Sequence, residues 1–336
     1  MSAAPIAISY RFLLGVYLAV PLCILLQAVD ALGGTQALRI EPLSEGDPSL
    51  WALVGMGLPH ILASSVLLGT NGEYLRAFRG RVVLTVVAIG AFFLVASRLP
   101  YEVGFAVLGV LTVAHVFHQQ MGIGKALCRC PPRRYAAWTT TSVGVGALLY
   151  ERVYLGASLP SGGRTALEAL LVAASLLFLG LSVTCHRGIP TRRGRWYLWA
   201  NVSMVLAGVH LFFTGWWFLA LLGPRIVHDL TAFGFYVVHD HNRHAEAPRN
   251  LLYRATQRLR LGTLWVPPAV GLLLTFALHR FGEPALRGLS LLVSGTTPSQ
   301  PLSLYAVVSL MLMHYSTEAV TWKKTSPYRT FVRVAP

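Results

Sequence analysis

Charge is scarce in this sequence. Only 12% of its 336 residues are charged, about half the share found in soluble globular proteins. That scarcity excludes an ordinary water-soluble enzyme. Cysteine is scarce as well. The four residues Cys23, Cys128, Cys130 and Cys185 cannot make a disulfide framework, and Cys128-Arg-Cys130 is too short to hold a structural zinc by itself. The apolar composition excludes a disordered chain and a collagen-like fibre, no low-complexity stretch or long linker interrupts the chain, and its halves show no convincing sequence echo. Acidic residues are few, 13 against 28 Lys and Arg. What that imbalance means depends on where the basic residues fall.

What the chain has in quantity is apolar residues, 54% of the total. A bilayer core of about 30 Å needs about 20 apolar residues per helix. Ten runs meet or approach that length: 12–29, 51–70, 82–99, 101–121, 135–150, 166–185, 196–222, 225–241, 263–281 and 302–322. The expected fold is all-α, a polytopic transmembrane bundle of about ten spans (eight to ten) forming a single integral-membrane domain over 1–336. With the N-terminus in the cytoplasm, 21 of the 28 basic residues lie at cytoplasmic ends and seven on the other side. That is a clear positive-inside bias. Asp30, Glu41, Glu45 and Asp47 gather in the first outer loop. Both termini are therefore expected to be cytoplasmic in a cell (inner) membrane.

The basic excess reads as a topology signal and an attraction to anionic lipid headgroups, not as a nucleic-acid footprint. Residues 248–261 place Arg249, Arg254, Arg258 and Arg260 among Leu251, Leu252, Tyr253, Leu259 and Leu261, the pattern of a cytoplasmic interfacial amphipathic helix. The first run is read as a retained helix. Arg11, the apolar stretch 12–26 and Val29-Asp30-Ala31 also fit a cleavable leader.

Ionisable groups inside membrane helices are costly and usually mark a site. Most of the eleven histidines fall inside the ten runs. Helical rise places His60 about 14 Å from the outer end of its helix, His314 about 18 Å, His115 and His239 about 21 Å, and His118 and Glu318 about 24–25 Å. Six candidate ligands from four of the runs thus share a band about 12 Å tall toward the cytoplasmic side, as a metal site requires. His115 and His118 share a helix face, with Gln119 one turn from His115; His314 and Glu318 stack at i,i+4. The alternative for the latter is a hydrogen bond along one helix.

The richest stretch is 228–244, with His228-Asp229 and His239-Asp240 on one stripe, then His241 and His244. Each Asp is a ligand or the carboxylate that orients a ligating imidazole. Arg243 is read as a headgroup or carboxylate partner. His241 and His244 extend the site or are solvated at a helix end. His210 is a further candidate, or a packing histidine. Imidazole and carboxylate without thiolate suit iron, or another transition metal that prefers histidine.

Histidines on several spans, here Pro59-His60, His115-x-x-His118, His239-x-His241-x-x-His244 and His314, resemble two families. One is the membrane di-iron desaturases and hydroxylases; the other is the bacterial carotene-cleaving dioxygenases of the Brp/Blh type. The resemblance implies a reaction class, O2-dependent oxidation of a hydrophobic, lipid-like substrate at a mono- or dinuclear iron centre, with an electron-donor protein as a partner. It implies no individual residue roles. Phe233, Phe235, Tyr236 and Trp217 are expected to line the cavity. Two other classes stay open: a haem-binding electron-transfer protein with imidazoles from two helices as axial ligands, and a proton-coupled transporter using Asp229, Glu318 and the histidines as a relay.

Overall fold

The computed structural model describes residues 4–39, 48–156, 158–244, 246–297, 301–323 and 325–335. Its helices, in chain order, are α1 (Tyr10–Gly15), α2 (Ala19–Leu32), α3 (Pro48–Gly69), α4 (Gly72–Ala96), α5 (Tyr101–Cys128), α6 (Pro132–Leu155), α7 (Ser161–Gly188), α8 (Arg192–Phe213), α9 (Trp217–His244), α10 (Leu251–Arg258), α11 (Val266–Ser294) and α12 (Leu302–Thr321). A 3-10 turn over Val16–Leu18 joins α1 to α2. The described residues hold no strand, only an isolated parallel bridge between Ile8 and Val334. The fold is all-α.

Among the described residues, seven helical segments are long and apolar enough to cross a bilayer, including Tyr10–Leu32, Gly72–Ala96 and Ser161–Gly188. Their outward apolar side chains are bare: Val83 and Leu84 are each 63% exposed, Leu273 67%. In water such faces would cost roughly 25 cal/mol per Å2; in lipid they cost nothing. This is a multi-pass membrane protein. Glu41, Glu45 and Asp47, expected in the first outer loop, lie outside the described residues.

Local chemistry sets the helix ends. The Thr191 side chain caps α8 by accepting from the Gly194 N–H at 3.0 Å, and Asn250 caps α10 by accepting from Tyr253 N–H at 3.0 Å, the usual N-cap arrangement. Several boundaries differ from the apolar runs: α4 begins at Gly72 rather than 82, and α11 extends to Ser294 rather than 281. The run 196–222 is broken after Phe213, because Gly215 adopts a φ of +90°, a conformation that L side chains avoid. A side chain there would also meet the Arg39 guanidinium. The chain turns and restarts as α9 at Trp217, eight residues ahead of the expected 225, with Pro224 accommodated inside the helix. The basic residues Arg76, Arg79 and Arg81, expected between spans, belong to the first turns of α4.

Contacts divide the chain into two compact units, one built from Met1–Tyr10, Val54–Val95 and Thr231–Pro336, the other from Arg11–Leu53 and Ala96–Leu230. In the second unit Trp138 of α6 is fully buried, stacks on Phe178 of α7 at 5.8 Å between ring centroids, and donates its indole N–H to Ser182 at 2.9 Å. Tyr17 donates to Asn201 at 2.8 Å and to Gln120 at 3.2 Å, which ties the first helical run to α5 and α8. Asp30 closes the segment after α2: its carboxylate accepts from Thr35, from the backbone N–H groups of Ala37 and Leu38, and from the Trp216 indole.

In the first unit, Leu67, Leu68, Tyr74, Ala232, Tyr236 and Tyr328 form a buried cluster with Phe78, Phe233 and Trp322 packed against it. α11 approaches α3 at Gly271, where an added Cβ would fall on the Pro59 carbonyl oxygen. Small residues at such crossings let membrane helices pack closely. Backbone cannot yield as a side-chain tip can. Gly271→Ala is therefore expected to destabilise this unit by about 1–3 kcal/mol, read as a lower midpoint in thermal unfolding of the detergent-solubilised protein. An unchanged midpoint would contradict the crossing.

Candidate functional site: two imidazole pairs and a buried relay

His60 follows Pro59 on α3, and His314 lies on α12. Both belong to the first unit, and each is 1% exposed. Their Nε2 atoms face each other at 3.2 Å, with the rings edge to face. The tautomer of His314 follows from its neighbours. Ser64, one turn beyond His60, donates its hydroxyl to the Ile61 carbonyl at 2.8 Å. Its oxygen is left to accept from His314 Nδ1 at 2.7 Å. The His314 proton therefore sits on Nδ1, and the Nε2 lone pair points at His60.

Glu318, one turn along α12, is buried and brings Oε2 to 3.7 Å from the same Nε2. That separation is beyond hydrogen-bond length, so the i,i+4 pair converges without bonding. The other oxygen, Oε1, accepts a short hydrogen bond from Tyr236 of α9. Phe233 packs its ring edgewise near His60 at 6.4 Å.

These separations suit ligation. A tetrahedral ion with bonds of about 2.1 Å holds its ligand atoms about 3.4 Å apart. The observed 3.2 and 3.7 Å lie on either side of that figure. Ser64 and Tyr236 stand where outer partners of a metal site stand, fixing the imidazole and the carboxylate from behind.

A second polar group lies in the same unit, near the end of α9. His239 has both ring nitrogens engaged, Nε2 with the Tyr74 hydroxyl at 2.8 Å and Nδ1 with Asp240 Oδ1 at 2.8 Å. Tyr253 of α10 makes a short hydrogen bond to the other Asp240 oxygen. Burial and the Asp240 carboxylate push the Tyr253 phenol well above its usual range, so it stays a neutral donor. Arg243, itself buried, pairs with Glu73 through a short contact, donates to Tyr74 at 2.9 Å and to Asn71 at 3.2 Å, and lies over the Tyr74 ring. Arg243 is thus a carboxylate partner.

His241 and His244 are buried, not solvated. His241 contacts Thr263 and the Ala4 carbonyl, at 2.8 and 3.2 Å. His244 accepts from Arg249 N–H at 3.0 Å and stacks on Tyr253. α10 itself presents Leu251 and Leu259 outward.

In the second unit His115 and the buried His228 form another edge-to-face pair, 5.1 Å between centroids. Asp229 lies 3.5 Å from Arg225, one turn away. His118 and His210 are exposed, and Gln119 is half-buried. Of the six ligands expected at one level, the first unit sets His314 against His60, at 3.2 Å, and near Glu318, at 3.7 Å. It sets His239 apart, in its own hydrogen-bonded chain.

The residues that sequence reasoning missed are mostly tyrosines, Tyr74, Tyr253 and Tyr328, all buried; Tyr236 was expected only as a cavity wall. Gln120, which accepts from Tyr17 and Tyr197 in the second unit, was passed over for its neighbour Gln119. Aromatic residues on apolar runs look like core, and only a histidine or carboxylate facing each hydroxyl gives them a role.

No family model, curated protein or solved structure matches this chain. The fold and the two polar groups define a class only: a multi-pass, all-α membrane protein with buried imidazole and carboxylate inside it. What that class member does is argued from its geometry.

Proposed function

We propose that this protein is an integral-membrane, metal-dependent oxidoreductase. Its ion, iron in the first instance, is held by His60, His314 and Glu318 and acts with O2 on a hydrophobic, lipid-like substrate. The observation that carries this reading is His314 Nε2, buried and 3.2 Å from the His60 Nε2 on one side and 3.7 Å from a Glu318 carboxylate oxygen on the other. A carboxylate together with histidines from facing helices is how iron is held in helical bundles. Iron there would supply the redox chemistry and open positions for O2. The chain's own residues orient the ligands, through Ser64 and Tyr236, and exclude water.

The topology that goes with this reading has ten spans, both termini in the cytoplasm and the protein in the inner membrane, as the 21-to-seven basic bias favours. A lipid-soluble substrate reaches the site from the bilayer, and an electron-donor protein serves as partner.

Haem suits the His60–His314 pair poorly. Axial imidazoles stand on opposite sides of the iron, about 4 Å apart at bonds of about 2.0 Å, and these two are at 3.2 Å. A purified sample without Soret absorbance is the expected result.

The test is elemental analysis of protein purified without chelators. About one iron per chain is expected, and less than about a third of an ion per chain overturns the proposal. Metal loss in His115→Ala would assign the His115–His228 pair to metal binding as well; unchanged content would leave it to packing.

A further inference from the structure

Beyond the His60–His314–Glu318 group, the first unit holds an unbroken series of oxidisable rings. Tyr236, which bonds Glu318, stacks on Trp322 at 6.0 Å. Trp322 meets Tyr328 at 6.0 Å, and Tyr328 stacks on Tyr74 at 4.0 Å. The series ends beside Glu73, whose side chain is 44% exposed. Tyr74 and Tyr328 are fully buried, so neither ring is there to meet solvent.

What singles out Tyr74 is its base. A phenol gives up an electron readily only when its proton has somewhere to go, because a buried phenol cation is a desolvated charge. His239 Nε2 lies 2.8 Å from the Tyr74 oxygen. Its Nδ1 is held by Asp240 at 2.8 Å; that carboxylate only accepts, so the Nδ1 carries the hydrogen and Nε2 is the free acceptor. A proton arriving on Nε2 makes an imidazolium that Asp240 already faces. Tyr253 holds the carboxylate in place from its other oxygen. The order phenol, imidazole, carboxylate is that of an acid–base relay.

We propose that Tyr74 is a redox-active tyrosine whose phenolic proton passes to His239 as one electron leaves through Tyr328 and Trp322 toward the Glu318 end of the series. This deepens the reading above and rests on it for the electron acceptor, the oxidised form of the ion at His60, His314 and Glu318. The balance is one electron to that ion and one proton to His239 Nε2, with a neutral phenoxyl left on Tyr74. One electron from a carrier protein of the flavin or iron–sulfur class, with return of the His239 proton, restores the phenol. The Glu73 edge is where the carrier approaches most closely.

The test uses the full-length, metal-free protein in detergent, with flash-generated tris-bipyridine ruthenium(III) as the one-electron oxidant and electron paramagnetic resonance with transient absorbance as readouts. A neutral tyrosyl radical is expected, lost in Tyr74→Phe. In His239→Gln, which keeps an acceptor but no base, radical formation is expected to be about 100-fold slower, the effect of removing a positioned general base. Formation in the unaltered protein is expected to be slower in deuterated water, a measurement that stands even where a variant fails to fold. Wild-type radical yield and rate in both variants, or equal rates in the two solvents, would overturn the proposal and leave the network to packing. Because no metal is present, this outcome is independent of the iron analysis. An iron-binding protein without the radical refutes the relay alone, and a radical in a protein that never binds iron keeps the Tyr74–His239 couple but refutes the metal reading and, with it, the proposed electron acceptor.

Discussion

His314→Ala is expected to leave the purified protein with less than about a tenth of the iron found in the wild type. His314 is the residue on which the proposed site turns, since its Nε2 is the atom that both His60 and Glu318 face, at 3.2 and 3.7 Å. Removing it takes away one of three ligands and separates the other two. Ser64→Ala tests the same ring from behind. It leaves every ligand present and removes only the oxygen that holds the Nδ1 proton at 2.7 Å. Loss of such an outer partner weakens metal affinity by about 10–100-fold, so Ser64→Ala should bind iron when it is supplied in excess and lose it on dialysis. Tyr236→Phe should behave alike, through Glu318. The checks are elemental analysis after purification and anaerobic titration with ferrous iron. Equal iron content in wild type and His314→Ala would sink the site, whereas loss in His314→Ala with full retention in Ser64→Ala would keep the ligand and discard the orienting hydroxyl.

The architecture was legible because a bilayer constrains sequence strongly. Every backbone group in lipid must be bonded within its own helix, so span-length apolar runs can be little else. Helices occupy all ten of the runs read from the sequence, and among the described residues seven segments have the length and composition to cross. The break inside the run 196–222, at Gly215, turns on a single φ that hydropathy does not register.

The site was legible only in part. Counting rise along each run gives depth, and depth put His60, His314, Glu318 and His239 at similar levels. It gives no azimuth for pairs on different helices. The facing of His60 and His314 depends on how α3 and α12 are rotated, and that rotation is set by contacts such as Gly271 against Pro59. His239 lies about 33 Å along α9 from its start at Trp217, not the 21 Å counted from residue 225, and both its nitrogens are taken by Tyr74 and Asp240. His118 shows the converse, since a face shared with His115 by spacing did not keep it buried.

Arg243→Ala is expected to destabilise the first unit more than removal of its ion-pair partner does. Arg243 is buried, and one guanidinium serves Asn71 at 3.2 Å, Tyr74 at 2.9 Å and the Glu73 carboxylate, while lying 4.6 Å from the centre of the Tyr74 ring. Glu73 is nearly half exposed, so on losing its partner it regains water at little cost. Asn71 and Tyr74 are buried and do not. Lost hydrogen bonds from a charged donor, with buried acceptors left short, amount to roughly 3 kcal/mol, or about 6–12 °C in the thermal midpoint. Glu73→Gln removes a half-exposed charge and should cost less than about 1 kcal/mol. Arg243→Lys should recover only a minor part, because a single ammonium cannot reach three partners as the planar fork does. Thermal unfolding of the three variants in one detergent separates these outcomes. If Arg243→Ala and Glu73→Gln shift the midpoint equally, Arg243 acts as a surface ion pair, and the buried chain from Asn71 to Asp240 is held by something else.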